Sequence, residues 1–246
     1  MAVHFHDLTL GYDGFPAVHH LDGTIEPGSL TALVGPNGSG KSTLLKGIVG
    51  LIPPLGGTVL RDGAEAGEVA YLPQSSEIER GFPATVFDLV SLGLWKRRGM
   101  FGGFSLADRT AISDALVAVG LDGFAARPVD SLSGGQLQRA LFARVVLQDA
   151  RLILLDEPFN AIDGTTVADL LVLIHAWHSE GRTIVAVLHD LDLVRAHFPT
   201  TLLLARHAVG WGDTAAVLRP ENLVVARAVD VSVHSDAPYC AGRDAA

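Results

Sequence analysis

A glycine-rich run at residues 35–43, GPNGSGKST, has the residue types and the spacing of a loop that binds phosphate groups. Its glycines allow the backbone to curl so that successive N–H groups point at phosphate oxygens. Lys41 adds a positive charge for the terminal phosphates, and the hydroxyl of Ser42 can bind Mg²⁺. A chance glycine-rich turn is the alternative, but an apolar run precedes these residues and a helical pattern follows them. The sequence therefore predicts an ATP site whose binding residues are Gly35, Pro36, Asn37, Gly38, Ser39, Gly40, Lys41, Ser42 and Thr43.

A second group of reactive side chains follows the short apolar run at residues 152–155. Asp156 suits the coordination shell of Mg²⁺, usually through water. Glu157, one residue later, can point in another direction and polarise a water molecule for attack. A strand that ends on a surface Asp-Glu pair is the alternative, but a phosphate loop needs such an acid for its metal. We therefore predict ATP hydrolysis with Mg²⁺ as the cofactor.

The elements that must position these residues can be predicted from hydrophobic periodicity. From about Thr85 to Gln148 the pattern is almost wholly helical, whereas strands and helices alternate before and after it. Such alternation around buried strands implies a mainly parallel sheet with helices on its faces, into which the helical block is inserted. The predicted strands are Val3–Leu10, Leu30–Val34, Thr58–Leu60, Glu68–Leu72, Leu152–Leu155, Thr183–Leu188 and Thr201–Leu204. The predicted helices run from Ser42 to Gly50 and over Thr85–Leu94, Leu106–Val119, Ser133–Leu147, Asp163–Glu180 and Leu191–His197.

Composition limits the classes of function. The 246 residues are enough for one large α/β domain or two small ones. A net charge of −9 speaks against binding to a nucleic-acid backbone. No apolar run approaches the roughly 20 residues that cross a bilayer, and the first residues lack the pattern of a secretion signal. The single cysteine, Cys240, excludes an internal disulfide. We therefore expect a cytoplasmic protein.

A short motif, LSGGQ at residues 132–136, lies between the phosphate loop and the two carboxylates. By itself it could be only a helix start, with Ser133 as the N-cap. In this order the three features make nearly the whole chain similar to the ATPase domain of ABC transporters. The resemblance implies an α/β P-loop NTPase fold, with a mainly parallel sheet core, an antiparallel β subdomain and an inserted helical subdomain. It divides the chain into a catalytic core at residues 1–84 and 149–246 and a helical subdomain at residues 85–148.

The resemblance also assigns roles to single residues. Tyr12 would stack on the adenine ring, Gln74 would reach the Mg²⁺ and the attacking water, and His189 would bind the γ-phosphate. Each has an ordinary alternative: a packing tyrosine, a turn residue and a histidine at a strand end. The resemblance thus implies three catalytic residues, Gln74, Glu157 and His189, and three metal ligands, Ser42, Gln74 and Asp156.

The LSGGQ motif implies a second copy of the chain. The motif would lie at a helix N-terminus, which is a second site that suits an anion. One ATP is already bound by Lys41, so this second site needs another partner. In the family, two copies pair head to tail, and the motif of one copy caps the γ-phosphate that the other binds. Asp163 would be the acid of the loop that contacts the other subunit. That loop reads Phe-Asn-Ala-Ile-Asp, whereas the family often has Thr-Ser-Ala-Leu-Asp, so the contact of Asn160 departs from the pattern. The residues of the capping motif are Ser133, Gly134, Gly135 and Gln136.

The absence of a predicted membrane span implies a separate subunit that docks on a permease at the inner face of the cell membrane. An extracytoplasmic solute-binding protein would belong to the same system. Residues 77–95, EIERGFPATVFDLVSLGLW, lie where the family receives the permease's coupling helix, and they are similar to zinc and manganese importers. We therefore expect import of a divalent transition metal. Siderophore or cobalamin import is one alternative, and a soluble ABC ATPase such as that of iron–sulfur assembly is another.

Histidines that are close in sequence raise the question of a regulatory metal site. None of them has the spacing of a closed zinc site, and paired surface histidines are common. The residues considered are His4, His6, His19, His20, His234 and Cys240.

Overall fold

A computed structural model describes residues 1–62, 68–74, 83–98, 103–160 and 162–231. The chain divides into two compact units: Met1–Gly63 with Thr183–Ala246, and Ala64–Arg182. The phosphate loop belongs to the first unit, whereas the LSGGQ motif and the two carboxylates belong to the second.

The first unit contains a three-stranded antiparallel sheet in the order β2-β1-β4. Its strands are β1 Val3–Tyr12, β2 Phe15–Ile25 and β4 Gly56–Arg61. The turn Asp13-Gly14 joins β1 to β2, and its two residues have φ values of 50° and 80°. This left-handed pair matches the twist of a two-residue hairpin. The predicted antiparallel subdomain is confirmed. The sequence pattern does not predict β2, because register shifts in its pairing with β1 interrupt the alternation of side chains.

Four further strands of the first unit are β3 Leu30–Val34, β7 Thr183–Val187, β8 Thr200–Ala205 and β9 His207–Asp213. β3 pairs in parallel with both β7 and β8, whereas β9 pairs antiparallel with β8. Every residue of β3 and β7 is buried, as expected for short apolar runs in parallel strands. The predicted strands are confirmed, and β9 is an addition that the sequence pattern does not predict.

Helices of the first unit follow or flank these strands. They are α1 Lys41–Val49, α7 Leu191–His197, α8 Thr214–Val217 and α9 Pro220–Val231. α1 begins directly after the phosphate loop and ends at Gly50, whose φ of 88° suits a left-handed C-cap. α7 begins at Asp190, whose carboxylate accepts two first-turn N–H groups at 2.9 and 3.1 Å. The predictions of α1 and α7 are confirmed, and α8 and α9 lie beyond the predicted elements.

The second unit contains two parallel strands, β5 Val69–Leu72 and β6 Leu152–Asp156. Reciprocal caps begin three of its helices, pairing Thr85 with Asp88, Ser105 with Asp108 and Ser133 with Gln136. One-turn 3-10 segments occur at Leu92–Leu94 and Val129–Ser131. The predicted helical block is confirmed. The helices are α2 Val86–Ser91, α3 Trp95–Arg98, α4 Leu106–Ala118, α5 Gly134–Gln148 and α6 Gly164–Ser179.

The fold class expected from the sequence is confirmed, since parallel strand pairs, an antiparallel sheet and helices all occur. The predicted helical subdomain at 85–148 lies within the second unit, together with β5, β6 and α6. Its proposed boundaries remain a prediction. Across the described residues, none of the helices combines the length and the apolar character needed to span a membrane.

Candidate nucleotide site

The phosphate loop connects β3 to α1, and three of its glycines adopt backbone conformations that other residues rarely adopt. Their φ values are 154° at Gly35, 75° at Gly38 and 94° at Gly40. A Cβ at Gly35 would collide with the carbonyl oxygen of Leu204, and one at Gly40 would lie 2.5 Å from that of Ala17. The backbones of β8 and β2 therefore lie directly against the loop, which leaves no room for a side chain at either position.

Lys41 is the first residue of α1 and is only 6% exposed. Its Nζ donates to the carbonyl oxygens of Gly35 at 2.9 Å and Pro36 at 2.7 Å. The first i→i−4 hydrogen bond of the helix ends on the carbonyl oxygen of Gly40, at 2.8 Å. The N–H groups of residues 41–43 come before that bond, in the first turn of α1, where the helix dipole favours an anion. The loop thus combines an ammonium group with backbone donors, which suits a triphosphate.

The rest of the loop divides into an exposed tip and a buried base. Asn37 and Gly38 are exposed, whereas Ser39 and Thr43 are buried and Ser42 is half-buried. The backbone N–H of Ser39 donates to the Pro36 carbonyl at 3.3 Å, and its carbonyl accepts from the N–H of residue 206 at 3.1 Å. These backbone bonds fix the curve of the loop whatever side chains its tip carries.

Tyr12 is the last residue of β1 and is 47% exposed. Phe15, its partner across the Asp13-Gly14 turn, is 66% exposed. The hairpin therefore presents two aromatic rings to solvent, where a planar group can stack on them. Sequence reasoning selected Tyr12 and missed Phe15, because only the two-residue turn brings the rings into register.

His189 follows β7 and is exposed. It lines a cavity of about 190 Å³ together with Gly35 and Pro36, so the structure places this histidine beside the first residues of the phosphate loop. Arg227 of α9 lines the same cavity. Sequence reasoning missed Arg227 because α9 carries no motif and lies far from the loop in sequence.

Asp156 ends β6 in the second unit and is 1% exposed. The hydroxyl of Tyr71, in β5, donates to its Oδ2 at 3.4 Å. β5 and β6 pair in parallel, so their carboxyl ends lie at the same edge and the residues that follow them come together. Asp156 is predictable from the apolar run before it, whereas Tyr71 becomes identifiable only through the strand pairing.

Glu157 has a φ of 48°, which is costly for a residue with a Cβ. Its Oε2 accepts a short hydrogen bond from Nε2 of Gln74 and a second one, at 3.1 Å, from Nδ2 of Asn160. Two side-chain amides thus fix one carboxylate oxygen. Gln74 and Glu157 were both predicted, and the structure brings them into contact. Asn160, whose contact with another subunit is in question because the loop departs from the family pattern, binds Glu157 within its own chain. Backbone strain of this kind clusters at functional positions.

The LSGGQ motif forms the start of α5. The hydroxyl oxygen of Ser133 accepts from the Gln136 N–H at 3.2 Å, and Oε1 of Gln136 accepts from the Ser133 N–H at 3.0 Å. The interpretation of the motif as a helix cap is therefore confirmed. Ser133 is also exposed, and Gly134 and Gly135 are half-buried, so this helix N-terminus lies at the surface of its unit, where an anion could reach it.

Asp163 is the N-cap of α6, a role that the sequence analysis did not assign. The backbone N–H and the hydroxyl of Thr166 each donate to its carboxylate at 2.9 Å, and these bonds lower the pKa of Asp163. Arg139 of α5 donates to the Thr166 hydroxyl at 3.1 Å and to Asp169 at 2.8 Å. A Cβ at Gly135 would lie 3.8 Å from the Asp163 carboxylate. The motif and the Asp163 loop are therefore neighbours within the second unit.

The three predicted ligands of Mg²⁺ offer a hydroxyl, an amide and a carboxylate oxygen, the hard donors that this ion prefers. Ser42 belongs to the first unit, whereas Gln74 and Asp156 belong to the second, so the set remains a prediction. In the part of the chain that the structure describes, no group of three or more His, Cys, Asp or Glu side chains suits a metal ion. His234 and Cys240 lie outside the described residues.

A family model described as ABC transporter matches residues 18–160. The chain belongs to the ABC transporter family. The matched range includes the phosphate loop, the LSGGQ motif and both carboxylates, whereas Tyr12 and His189 lie outside it. The family establishes that this ABC transporter chain is an ATP-binding domain that hydrolyses ATP.

Relatives of this ABC transporter chain cover most of its length. The manganese transport system ATP-binding protein MntB of Listeria monocytogenes is 40% identical over 220 residues, 88% of this chain and 92% of that protein. The zinc transport system ATP-binding protein TroB of Treponema pallidum is 38% identical over 224 residues, 89% and 84% respectively. Among solved structures, an inward-facing ABC transporter of metal-chelate type gives a TM-score of 0.81 at 30% identity, covering 92% of this chain and 89% of that one.

Proposed function

We propose that this chain is the ATP-hydrolysing subunit of an importer for a divalent transition metal, manganese or zinc. The observation that carries the substrate class is its identity of 40% and 38% with a manganese and a zinc transport ATP-binding protein. The similarity of residues 77–95 to the same branch supports it. Of that segment, residues 77–82 lie outside the described residues, and the remainder includes α2 and the 3-10 turn at Leu92–Leu94.

The phosphate loop binds ATP in this proposal. Backbone N–H groups of the phosphate loop and the Lys41 ammonium hold the phosphates, and the exposed ring of Tyr12 stacks on adenine. Oxygens of Ser42, Gln74 and Asp156 would hold Mg²⁺, which would supply positive charge to the phosphates. The close packing of the loop supports this assignment, because Gly35 and Gly40 cannot be replaced without disturbing β8 or β2.

Glu157 polarises the attacking water. The two amides on its Oε2 support this role, because they fix the direction of the carboxylate. Gln74 orients both the carboxylate and the water. His189 binds the γ-phosphate, and its position beside Gly35 and Pro36 supports that contact.

A second copy of the chain completes each ATP site. The exposed N-terminus of α5, with Ser133, Gly134, Gly135 and Gln136, caps the γ-phosphate that the other copy binds. ATP therefore favours a closed dimer to the extent that the γ-phosphate binds that state more tightly than the open one. The dimer lies at the inner face of the membrane on a permease, and an extracytoplasmic solute-binding protein delivers the metal.

Replacement of Glu157 by Gln tests the ATPase mechanism. The variant keeps the size of the side chain but loses the negative charge that polarises water, so we expect normal ATP binding, turnover reduced at least about 100-fold and an ATP-bound dimer. Turnover is measured by phosphate release, and the dimer by size-exclusion chromatography with Mg·ATP. Glu180→Gln, at an exposed position after α6, is the matched control and keeps activity. A Glu157→Gln chain that stays monomeric with ATP would contradict the proposed dimer.

Metal uptake tests the substrate class. A strain that lacks the gene is given radioactive manganese, zinc or an iron chelate, with the wild-type chain or Glu157→Gln returned on a plasmid. We expect the wild-type chain to restore uptake of manganese or zinc and the variant to restore none. Restored uptake of the chelate instead would favour the metal-chelate class, which the similarity to the solved transporter of that type makes the second candidate. Unchanged uptake of all three would favour a soluble ATPase.

A further inference from the structure

Arg144 lies in the middle of α5, between the buried residues Ala143 and Val145. Its Nη2 donates to the carbonyl oxygen of Tyr71 at 2.9 Å. Its Nε is buried and has no hydrogen-bond partner among the described residues, and none of their carboxylates forms an ion pair with it. Burial lowers the pKa of this arginine. A half-buried cation whose Nε has no partner costs stability, so its place in the middle of the helix calls for a role.

The carbonyl group that accepts from Arg144 belongs to Tyr71 in β5. Side chains of this strand and of the residues just after it donate to the carboxylates of Asp156 and Glu157. Tyr71 donates its hydroxyl to Asp156 at 3.4 Å. Three residues later, Gln74 donates to Glu157. The backbone of β5 therefore sets where two side chains meet the carboxylates, and Arg144 is the side chain of α5 that fixes this backbone.

The backbone of Arg144 is in close contact with the segment proposed to receive the permease. A Cβ at Gly93, in the 3-10 turn Leu92–Leu94, would lie 2.5 Å from the Arg144 carbonyl oxygen and 2.8 Å from Cβ of Leu147. The turn thus packs on α5 with its backbone in contact. Its neighbours Leu92 and Trp95 are 47% and 52% exposed, which leaves apolar surface on the outer side of the turn.

We propose that Arg144 is a positioning residue that links permease docking to ATP hydrolysis. The turn at Gly93 packs so closely on α5 that no gap between them can absorb a displacement. When the turn moves, α5 therefore moves with it. Arg144 then shifts the Tyr71 carbonyl and, with it, the placement of Gln74 against Glu157. The inference rests on the proposed function, because it requires a permease on residues 77–95 and hydrolysis at Glu157.

Arg144→Met tests the link, because methionine keeps much of the side-chain length and apolar stem but has neither charge nor donors. We expect kcat to fall about tenfold or more, since small misplacements of catalytic groups have effects of this size. The KM for ATP stays within about twofold, because no group that binds the nucleotide is changed. Arg144→Lys keeps the charge and a donating ammonium group, and it restores part of kcat. Arg151→Met is the matched control, since the Arg151 side chain is 73% exposed.

The decisive readout is stimulation of ATPase activity by the permease in lipid vesicles, with thermal unfolding as the check on folding. We expect Arg144→Met to lose most of the stimulation while its unfolding temperature does not fall. Wild-type kcat and stimulation in that variant would overturn the inference. So would an activity loss that follows a lower unfolding temperature in both the Met and Lys variants. A wild-type chain that shows no ATPase activity would instead contradict the proposed function itself.

Discussion

Glu157 combines a left-handed backbone conformation with a carboxylate oxygen that two amides hold. Such a backbone costs about 1–3 kcal/mol and persists only where its surroundings impose it. Glycine at this position would relieve the strain, but it has no carboxylate. The presence of glutamate here therefore agrees with a chemical role for its side chain.

Lys41→Ala tests the loop at the scale of one residue. The substitution removes the ammonium group that is bonded to the Gly35 and Pro36 carbonyls. We expect ATP affinity to fall at least about tenfold, because a charge-assisted contact of a partly buried ammonium is worth about 1.5–3 kcal/mol. Titration with a fluorescent nucleotide measures the affinity. Lys46→Ala, in the last turn of the same helix, is the matched control. Equal affinities for the two variants would contradict the assignment of Lys41.

The residues of the candidate site differ in how far sequence determines them. Lys41, Asp156 and Glu157 are predictable, because each lies directly after an apolar run or a glycine pattern. Tyr71, Asn160 and the two arginines of α5 are not, because their contacts depend on which strand or loop lies opposite them. The position of the exposed Phe15 could not be predicted either, because only the register of the hairpin places it beside Tyr12.

At the scale of elements, the start of α4 shows how a helix can be secured by one carboxylate. Oδ2 of Asp108 accepts from the N–H and the hydroxyl of Ser105 at 2.8 and 2.6 Å, and it pairs with Arg98 at the end of α3. The Ser105 hydroxyl, followed by Arg98, lowers the pKa of Asp108 to about 2, from an ordinary value of 3.8. This ion pair therefore joins the two ends of a glycine-containing connection between helices.

Asp108→Asn is expected to reduce the free energy of unfolding at neutral pH. A carboxyl whose pKa is lower in the folded state stabilises that state above pH 3.8, and this contribution is lost as the pH falls toward about 2. The difference between wild type and variant should therefore narrow below pH 3.8. Urea unfolding between pH 7 and pH 3 measures it. Asp114→Asn, at an exposed position of the same helix, is the control and should show a smaller difference at every pH. A constant Asp108 difference across this range would contradict the assignment.

At the scale of the whole molecule, a head-to-tail dimer predicts complementation between two inactive chains. One chain carries Lys41→Ala and the other Ser133→Asp, in which the aspartate keeps an N-cap but repels the γ-phosphate. A mixed dimer then contains one site with both Lys41 and Ser133 intact. Random mixing gives about a quarter of wild-type activity, because half the dimers are mixed and each has one working site of two.

Phosphate release from the mixture, compared with each variant alone, measures the complementation. Ser133→Asn is the control partner, because it caps the helix without a charge and keeps activity as a homodimer. Activity in the mixture no greater than the average of the two inactive chains would show that each ATP site is built within one chain.

The fold class could be predicted from the sequence more completely than the individual elements could. Strand–helix alternation and the long helical block determine the fold class, and both depend on local periodicity. The sequence does not predict β9 or α9. A register shift interrupts the pairing of β9 with β8, and α9 carries no motif. α9 nevertheless supplies Arg227 to the cavity at His189. Tertiary contacts thus place Arg227 and His189 at one cavity, which periodicity does not reveal.

The two carbonyl bonds of Lys41 have a consequence for the speed of nucleotide capture. A lysine side chain in solution loses up to about 2 kcal/mol of rotamer entropy when it is fixed. At 6% exposure and with two bonds to its own loop, Lys41 has lost that freedom during folding. In the proposed ATP site, an arriving triphosphate would therefore meet a preorganised cation, and the association rate would reflect diffusion and charge rather than a search among side-chain conformers.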